Sequence, residues 1–232
     1  MPSHTQIYKT RAARYDALIS REDYKENLPR SLRRAADWRG KDIIELGAGT
    51  GRLTLLFAPQ CRSIKAFDLS PQMLAIARRK LNKTGLKNWS LAVADNRKIP
   101  QPDACADITV SAWSISYLAQ GKISVWRQQV DAAITEMKRI LRKGGTAIIV
   151  ESLGTGRRIP AAPNRRLSSY YSYLKRLGFS RRHIRTDYKF KDTAEAAALA
   201  EFFFGARLSA GIRKSGSRIL PECTGVWHLT IV

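Results

Sequence analysis

Five short apolar runs lie between residues 41 and 152: "KDIIELG", "CRSIKAFDL", "NWSLAVAD", "ADITVSAW" and "GTAIIVES". Helical segments separate most of them. Strands that alternate with helices predict a parallel sheet covered on both faces. The helices carry their own punctuation. "SPQMLAIARRKLNKTG" has Ser70 as cap, Pro71 at the first helical position and Gly85 just past the end. Residues 123–142 place Val130, Ile134, Met137 and Leu141 on one face. Arg139, Arg142 and Lys143 suit the negative end of that helix, and Gly144 stops it. Upstream, residues 5–38 read as helical in two pieces broken near Ser20, with Ser20 and Asp23 placed as a capping box. Downstream, 167–178 and 192–204 read as helices, 182–190 as extended, and "GVWHLTIV" as a closing strand. The chain therefore divides into an N-terminal helical lid (1–38), a ligand-binding core (39–152), and a C-terminal part (153–232) that extends the same sheet and adds a basic insertion.

The first run ends in an acid, and three glycines then fill five positions: Gly47, Gly49 and Gly51. Glycine costs roughly 0.5–1 kcal/mol relative to Ala inside regular structure, but it admits positive φ and lets a ligand approach the backbone. In an open α/β sheet, ligands sit beyond the carboxyl ends of the strands. A dinucleotide pattern would need a third glycine where Arg52 stands, and no Gly-Lys-Ser/Thr follows for a phosphate loop. Glu45, Asp68 and Asp95 lie at or near three strand ends. Three carboxylates oppose a pyrophosphate and suit a ligand with a cation and hydroxyls. S-adenosylmethionine is such a ligand, with its ammonium, sulfonium, ribose diol and adenine amine.

"ELGAGTG", "FDLS" and "VAD", followed by "DITVSAWSISYL" and "MKRILRKGGTAIIVES", resemble the ordered motifs of class I S-adenosylmethionine-dependent methyltransferases of the type 11-like group. The resemblance covers about residues 40–152. It implies an α/β, Rossmann-like, doubly wound and mostly parallel seven-stranded sheet with an antiparallel C-terminal strand. It also implies roles. Glu45 and the turn Gly47, Ala48, Gly49, Thr50, Gly51 would approach the methionine part of the cofactor. Asp68 would accept the ribose hydroxyls, with Leu69 and Met73 near the adenine. Asp95 would take the adenine amine, with Asn96 beside it. Ser111, Ala112 and Trp113 would close the floor near the sulfonium. The product would be S-adenosylhomocysteine.

Tyr15, Tyr24, Trp113, Tyr117, Tyr170, Tyr171, Arg165 and Arg166 are candidates for the acceptor side, and His183 and Tyr117 for proton transfer. His228, in the closing strand, reads as structural. The residues after strand four are "SAWS", not the Asp/Asn-Pro-Pro-Tyr of enzymes that methylate amino groups of nucleic-acid bases. No cysteine stands at the ends of strands four or five for attack on a pyrimidine carbon.

Charge keeps a second partner in play. The net charge is +22, and residues 155–191 hold eleven basic residues against the single acid Asp187. Such a segment is either a solvated face or a surface for phosphates and carboxylates. The first expectation is a small-molecule acceptor, anionic ones included. RNA is the alternative, and a non-catalytic partner-binding role comes third. No apolar run reaches the ~18 residues of a membrane span. Cys61, Cys105 and Cys223 are few and scattered, so neither a disulfide framework nor a metal site is expected. A cytoplasmic protein with reduced thiols, not inserted in a membrane, is the expectation.

Overall fold

The computed structural model describes residues 4–122 and 124–231. Residues 1–3 of the expected lid lie outside the described residues. Three helices open the chain: α1 (His4–Thr10), α2 (Ala12–Ile19) and α3 (Asn27–Ala35). The core then runs β1 (Asp42–Leu46), α4 (Arg52–Phe57), β2 (Ser63–Asp68), α5 (Pro71–Asn82), β3 (Trp89–Val93), β4 (Ala106–Ala112), α6 (Ile115–Ala119), α7 (Trp126–Ile140) and β5 (Leu141–Thr155). It closes with α8 (Arg165–Arg176), β6 (Ser180–Arg185), β7 (Tyr188–Lys189), α9 (Thr193–Phe204), α10 (Ala206–Ser215), β8 (Ile219–Leu220) and β9 (Glu222–Thr230).

Seven strands form one sheet in the order β3-β2-β1-β4-β5-β9-β6. All pairings among β1 to β5 are parallel, and β9 is antiparallel to both its neighbours. This is the Rossmann-like doubly wound sheet with an antiparallel C-terminal strand. Strand side chains alternate between two packed layers. Ile43, Ile148 and Val150 pack with Leu28, Leu32, Trp38 and Phe57 on one face. Ile44, Ala147 and Ile149 pack with Val130, Met137, Tyr170 and Trp227 on the other. The order reverses between β1 and β4, so a crevice opens beyond their carboxyl ends.

The C-terminal part does extend the sheet, through β9 and β6. The insertion is a small unit of its own: the β7–β8 pair and α9 pack with Leu18 of α2 into a third apolar cluster. Helix α10 adds to the helices expected from the sequence. Gly205, at φ +102°, separates it from α9.

Two local expectations are corrected. Helix α7 ends at Ile140, and Leu141 already begins β5. Arg142 therefore does not sit on the helix end; it pairs with Asp42 and Asp107 at 3.0 Å each. Ser20 does not start a helix either; it stands just after the end of α2. Asp23, at φ +60°, does the capping, but for a helix that begins four residues later. Its carboxylate accepts from the backbone N–H of Asn27 at 2.9 Å and of Leu28 at 2.8 Å. Loss of such a cap costs about 0.5–2 kcal/mol. Asp23→Ala should lower the stability measured by urea unfolding by about that amount and Asp23→Asn by less; equal stability of all three proteins would show that the cap is idle.

Candidate functional site

The glycine turn follows β1 and is fastened to β2. The N–H groups of Gly47 and Ala48 both donate to the Phe67 carbonyl, at 2.8 and 2.9 Å. Gly49 N–H donates to Asp68 Oδ2 at 2.8 Å, and Ser70 N–H to Oδ1 at 2.8 Å. Gly47, Gly49 and Gly51 have φ of +76°, +55° and +81°. A Cβ on Gly47 would lie 2.0 Å from Ser114 Oγ, and one on Gly51 2.9 Å from the Cβ of Ala77. Asn96 Nδ2 donates to Ser114 Oγ at 2.9 Å, which joins the ends of β3 and β4 above the turn.

A cavity of about 360 Å³ opens here. Glu45, Gly47, Ala48, Gly49 and Thr50 line its floor. Asp68, Leu69, Met73 and Asn96 line one side, and Ala112, Trp113 and Tyr117 another. Tyr15 reaches it from α2. The structure thus brings most of the residues expected at the site together around one space. Several stand apart. Gly51 is buried behind the turn, and Ser111 is buried in β4. Asp95 is held by Arg97, which keeps its carboxyl below the usual range. Tyr24 lies on the surface, with Lys25 and Lys189 over its ring. Arg166 donates to the carbonyls of Gln120 and Gly121, while Arg165 is exposed. His183 is exposed on the edge strand β6, and Tyr170 and Tyr171 are buried in the core.

Other cavity residues were not singled out from sequence: Tyr8, Glu22, Arg52, Ser114, Tyr188 and Phe203. Arg52 carried a signal. It occupies the first position of α4, where the helix dipole disfavours a cation, so an acid partner is called for. That partner is Glu22, at 2.6 Å. The guanidinium of Arg52 also lies 4.9 Å from the Trp113 ring centroid. Opposite, the phenols of Tyr8 and Tyr117 share a 2.5 Å hydrogen bond. Burial holds the Tyr117 phenol above its usual range, so it keeps its proton at neutral pH.

The carboxylates differ in state. Burial pushes Glu45 up to about 8, against the hydrogen bond it accepts from Thr54 Oγ1 at 2.6 Å. Burial also raises Asp68, while its two backbone donors pull it down. Thr50 Oγ1 is buried with no hydrogen-bond partner among the described residues. Among the described residues, no group of three or more His, Cys, Asp or Glu is placed to hold a metal. Among the same residues, no helix is long and apolar enough to cross a membrane.

Residues 43–145 match the family model described as a methyltransferase domain. A phosphatidylethanolamine N-methyltransferase of Cereibacter sphaeroides is 28% identical over 59% of this chain and 63% of its own length. A demethylmenaquinone methyltransferase of Thermus thermophilus is 34% identical over 60% of this chain and 61% of its own. The chain thus spans about three fifths of the length of these relatives. Among solved structures, an S-adenosylmethionine-dependent methyltransferase from Aquifex aeolicus superposes with a TM-score of 0.60 at 17% identity, over 97% of this chain and 100% of that one.

Glu151 and Glu222 are buried like Glu45, and burial pushes each up to about 8. An unfolded carboxyl ionises near 4.5. Between these values the native chain holds protons that the unfolded chain has lost. The stability from these groups is complete below about pH 4.5 and falls as pH rises toward 8. Glu45→Gln fixes the neutral form, so its urea midpoint should fall less steeply from pH 5 to pH 8 than that of the wild type. Parallel slopes would show Glu45 to be ionised throughout.

Proposed function

We propose that this chain is a class I S-adenosylmethionine-dependent methyltransferase that transfers a methyl group from S-adenosylmethionine to a small-molecule acceptor. The observation that carries the proposal is the turn Gly47–Gly51 fastened to Asp68, at the floor of a cavity whose far side is aromatic. The residues present fit the cofactor. Gly49 leaves open backbone, with only the Met73 methyl 3.5 Å from where a Cβ would stand. Leu69 lines the cavity with 65% of its surface exposed, an apolar face suited to adenine. Thr50 offers an unpartnered hydroxyl. Asp68 and Asn96 offer the polar atoms for a ribose and an adenine edge.

S-adenosylmethionine supplies a methyl carbon already activated by its sulfonium. The chain's contribution is orientation, which can lower a barrier by several kcal/mol. The glycine turn and Asp68 would hold the cofactor from below. Trp113 and Tyr117 would confine the reacting space. Residues 1–38 would act as the lid. Tyr8 and Tyr15 pack with Met73 of α5, and Arg14 donates to the Ala198 carbonyl of α9, contacts that support this reading by tying α1 and α2 to α5 and α9. With Tyr117 protonated and His183 on the outer edge strand, neither side chain that sequence suggested is poised as a base. The reading therefore favours an acceptor that needs no strong base inside the site.

RNA is the second reading, and the observation behind it is the edge strand β6, where Arg181, Arg182 and His183 are all exposed. Against it, only Tyr188 of the basic segment lines the cavity. Reversing Arg165, Arg166, Arg181 and Arg182 to Glu should leave turnover of a small acceptor nearly unchanged. Tight RNA binding with a steep salt dependence, lost in the reversed protein together with methylation of that RNA, would overturn the small-molecule reading.

The cofactor is tested directly. Asp68→Ala removes a charged hydrogen-bond acceptor, a loss of about 1.5–3 kcal/mol. Calorimetry should show S-adenosylhomocysteine binding to the wild type and binding weakened by that amount in the variant. Unchanged affinity would remove Asp68 from the site, and no binding to the wild type would sink the methyl-transfer reading.

A further inference from the structure

Glu22 lines the cavity, and one of its two carboxylate oxygens has no hydrogen-bond partner among the described residues. Glu22 Oε2 takes the Nη1 of Arg52 at 2.6 Å. Glu22 Oε1 is buried and accepts no hydrogen bond from the described residues, and the side chain is only 4% exposed. A buried carboxylate oxygen without a donor is costly, so native structures fill such positions with a water or a ligand.

The residue is held in place from both sides. Its neighbour Arg21 accepts from Lys189 N–H at 2.8 Å through its carbonyl, and pairs with Glu195 at 2.7 Å. Its other neighbour, Asp23, donates its N–H to the carbonyls of Thr186 and Asp187 at 3.2 and 3.0 Å. The lid loop is thus zipped to the C-terminal insertion. Glu22 shares the cavity with apolar and aromatic side chains: Tyr15, Leu18, Trp113, Tyr188 and Phe203 line it too. The Trp113 ring lies 4.9 Å from the Arg52 guanidinium, and the Tyr15 and Phe203 rings meet with centroids 5.4 Å apart.

We infer that Glu22 Oε1 recognises the methyl acceptor, by accepting a hydrogen bond from an O–H or N–H on a ring-sized, mostly apolar molecule. The inference rests on the methyl-transfer reading for the word acceptor, but the binding site itself does not depend on it. Arg52 has two effects. It compensates the charge of Glu22, and it occupies one carboxylate oxygen so that only the other is offered. A carboxylate or phosphate placed here would meet Oε1 without a proton between them, so this end of the acceptor is not anionic. A site built around such an atom rejects an analogue that lacks the donor far more strongly than a purely apolar pocket rejects a small change in size.

The test uses four probes on the full chain, with and without saturating S-adenosylhomocysteine: 4-methylphenol, 4-methylaniline, 4-methylanisole and 4-methylbenzoate. Affinities are read by ligand-observed NMR titration. The phenol and the aniline should bind the wild type, and the methyl ether and the benzoate should bind at least about tenfold more weakly. Glu22→Ala should erase the preference of phenol over ether, bringing their ratio near one. A merely structural role would weaken all probes together and leave the ratio alone. Because Glu22→Ala leaves Arg52 unpaired and can unfold the protein, the double variant Glu22→Met, Arg52→Met is measured beside it and should also lose the preference. Equal binding of phenol and ether to the wild type, no binding of the phenol, or a preference that survives in either variant would overturn the inference; equal binding would also show that water alone satisfies Oε1. Failure of the wild type to bind S-adenosylhomocysteine would instead count against the methyl-transfer reading, with the probe ratios still deciding the role of Glu22.

Discussion

Asp68 is the joint on which the site depends. One carboxylate oxygen holds Gly49 N–H and the other holds Ser70 N–H. The first bond sets the path of the glycine turn, and the second sets the start of α5. Without a Cβ at positions 47 and 51, the turn can bring its backbone against Ser114 and Ala77. The cavity floor is therefore made of main chain, and main chain moves less than a lining of long side chains. The same arrangement takes capacity from Asp68. Two backbone donors already use its oxygens, so a ribose would share an acceptor rather than find a free one.

A second linkage joins three parts of the chain that are distant in sequence. Arg52 belongs to the core, Glu22 to the N-terminal segment, and Tyr188 to the C-terminal insertion; all three line the cavity. The Arg52–Glu22 pair is largely shielded, with side chains 22% and 4% exposed. Such a pair adds little net stability against an apolar alternative, but breaking it on one side is costly. Its value lies in position. It fixes where the lid loop meets α4, and the loop's backbone bonds to residues 186–189 fix it to the insertion. The N-terminal segment, the core and the insertion thus shape the cavity jointly.

The core was legible in the sequence because its signals are local. Ser70 accepts from Met73 N–H, and Pro71 stands at the first helical position. The buried face of α7 is Val130, Ala133, Ile134, Met137 and Ile140, close to the apolar period read from the chain. The glycine turn and Asp68 meet because β1 and β2 are neighbours, which alternation of strand and helix nearly requires. Errors came where a tertiary contact outweighed a local rule. Arg142 suits a helix end by charge, yet Asp42 and Asp107 draw it into ion pairs beyond the helix. Asp23 looked like the partner of Ser20, yet its carboxylate reaches forward to α3. Glu22 and Tyr188 were illegible for a different reason. They are separated by most of the chain, and nothing local marks either as facing a shared cavity. Asp95 shows the reverse case, since a nearby arginine two residues on takes a carboxylate that its motif would offer to a ligand.

A net charge of +22 would oppose the cationic cofactor proposed above only if those charges lay close to the cavity. In physiological salt, exposed charges are screened over about 8 Å. The arginines and lysines of the insertion are mostly on the surface, and several are already occupied: Arg166 by two carbonyls, Arg185 by Asp187, Arg181 against the Trp227 ring. Their field reaches the cavity weakly. Inside, Asp68 acts at short range in a less polarisable medium, where each interaction is stronger, while Arg52 balances the charge of Glu22. A carboxylate such as Asp68 therefore bears more on the charge the cavity suits than the basic exterior does. That separation lets one chain combine a strongly cationic surface with a site that suits a sulfonium.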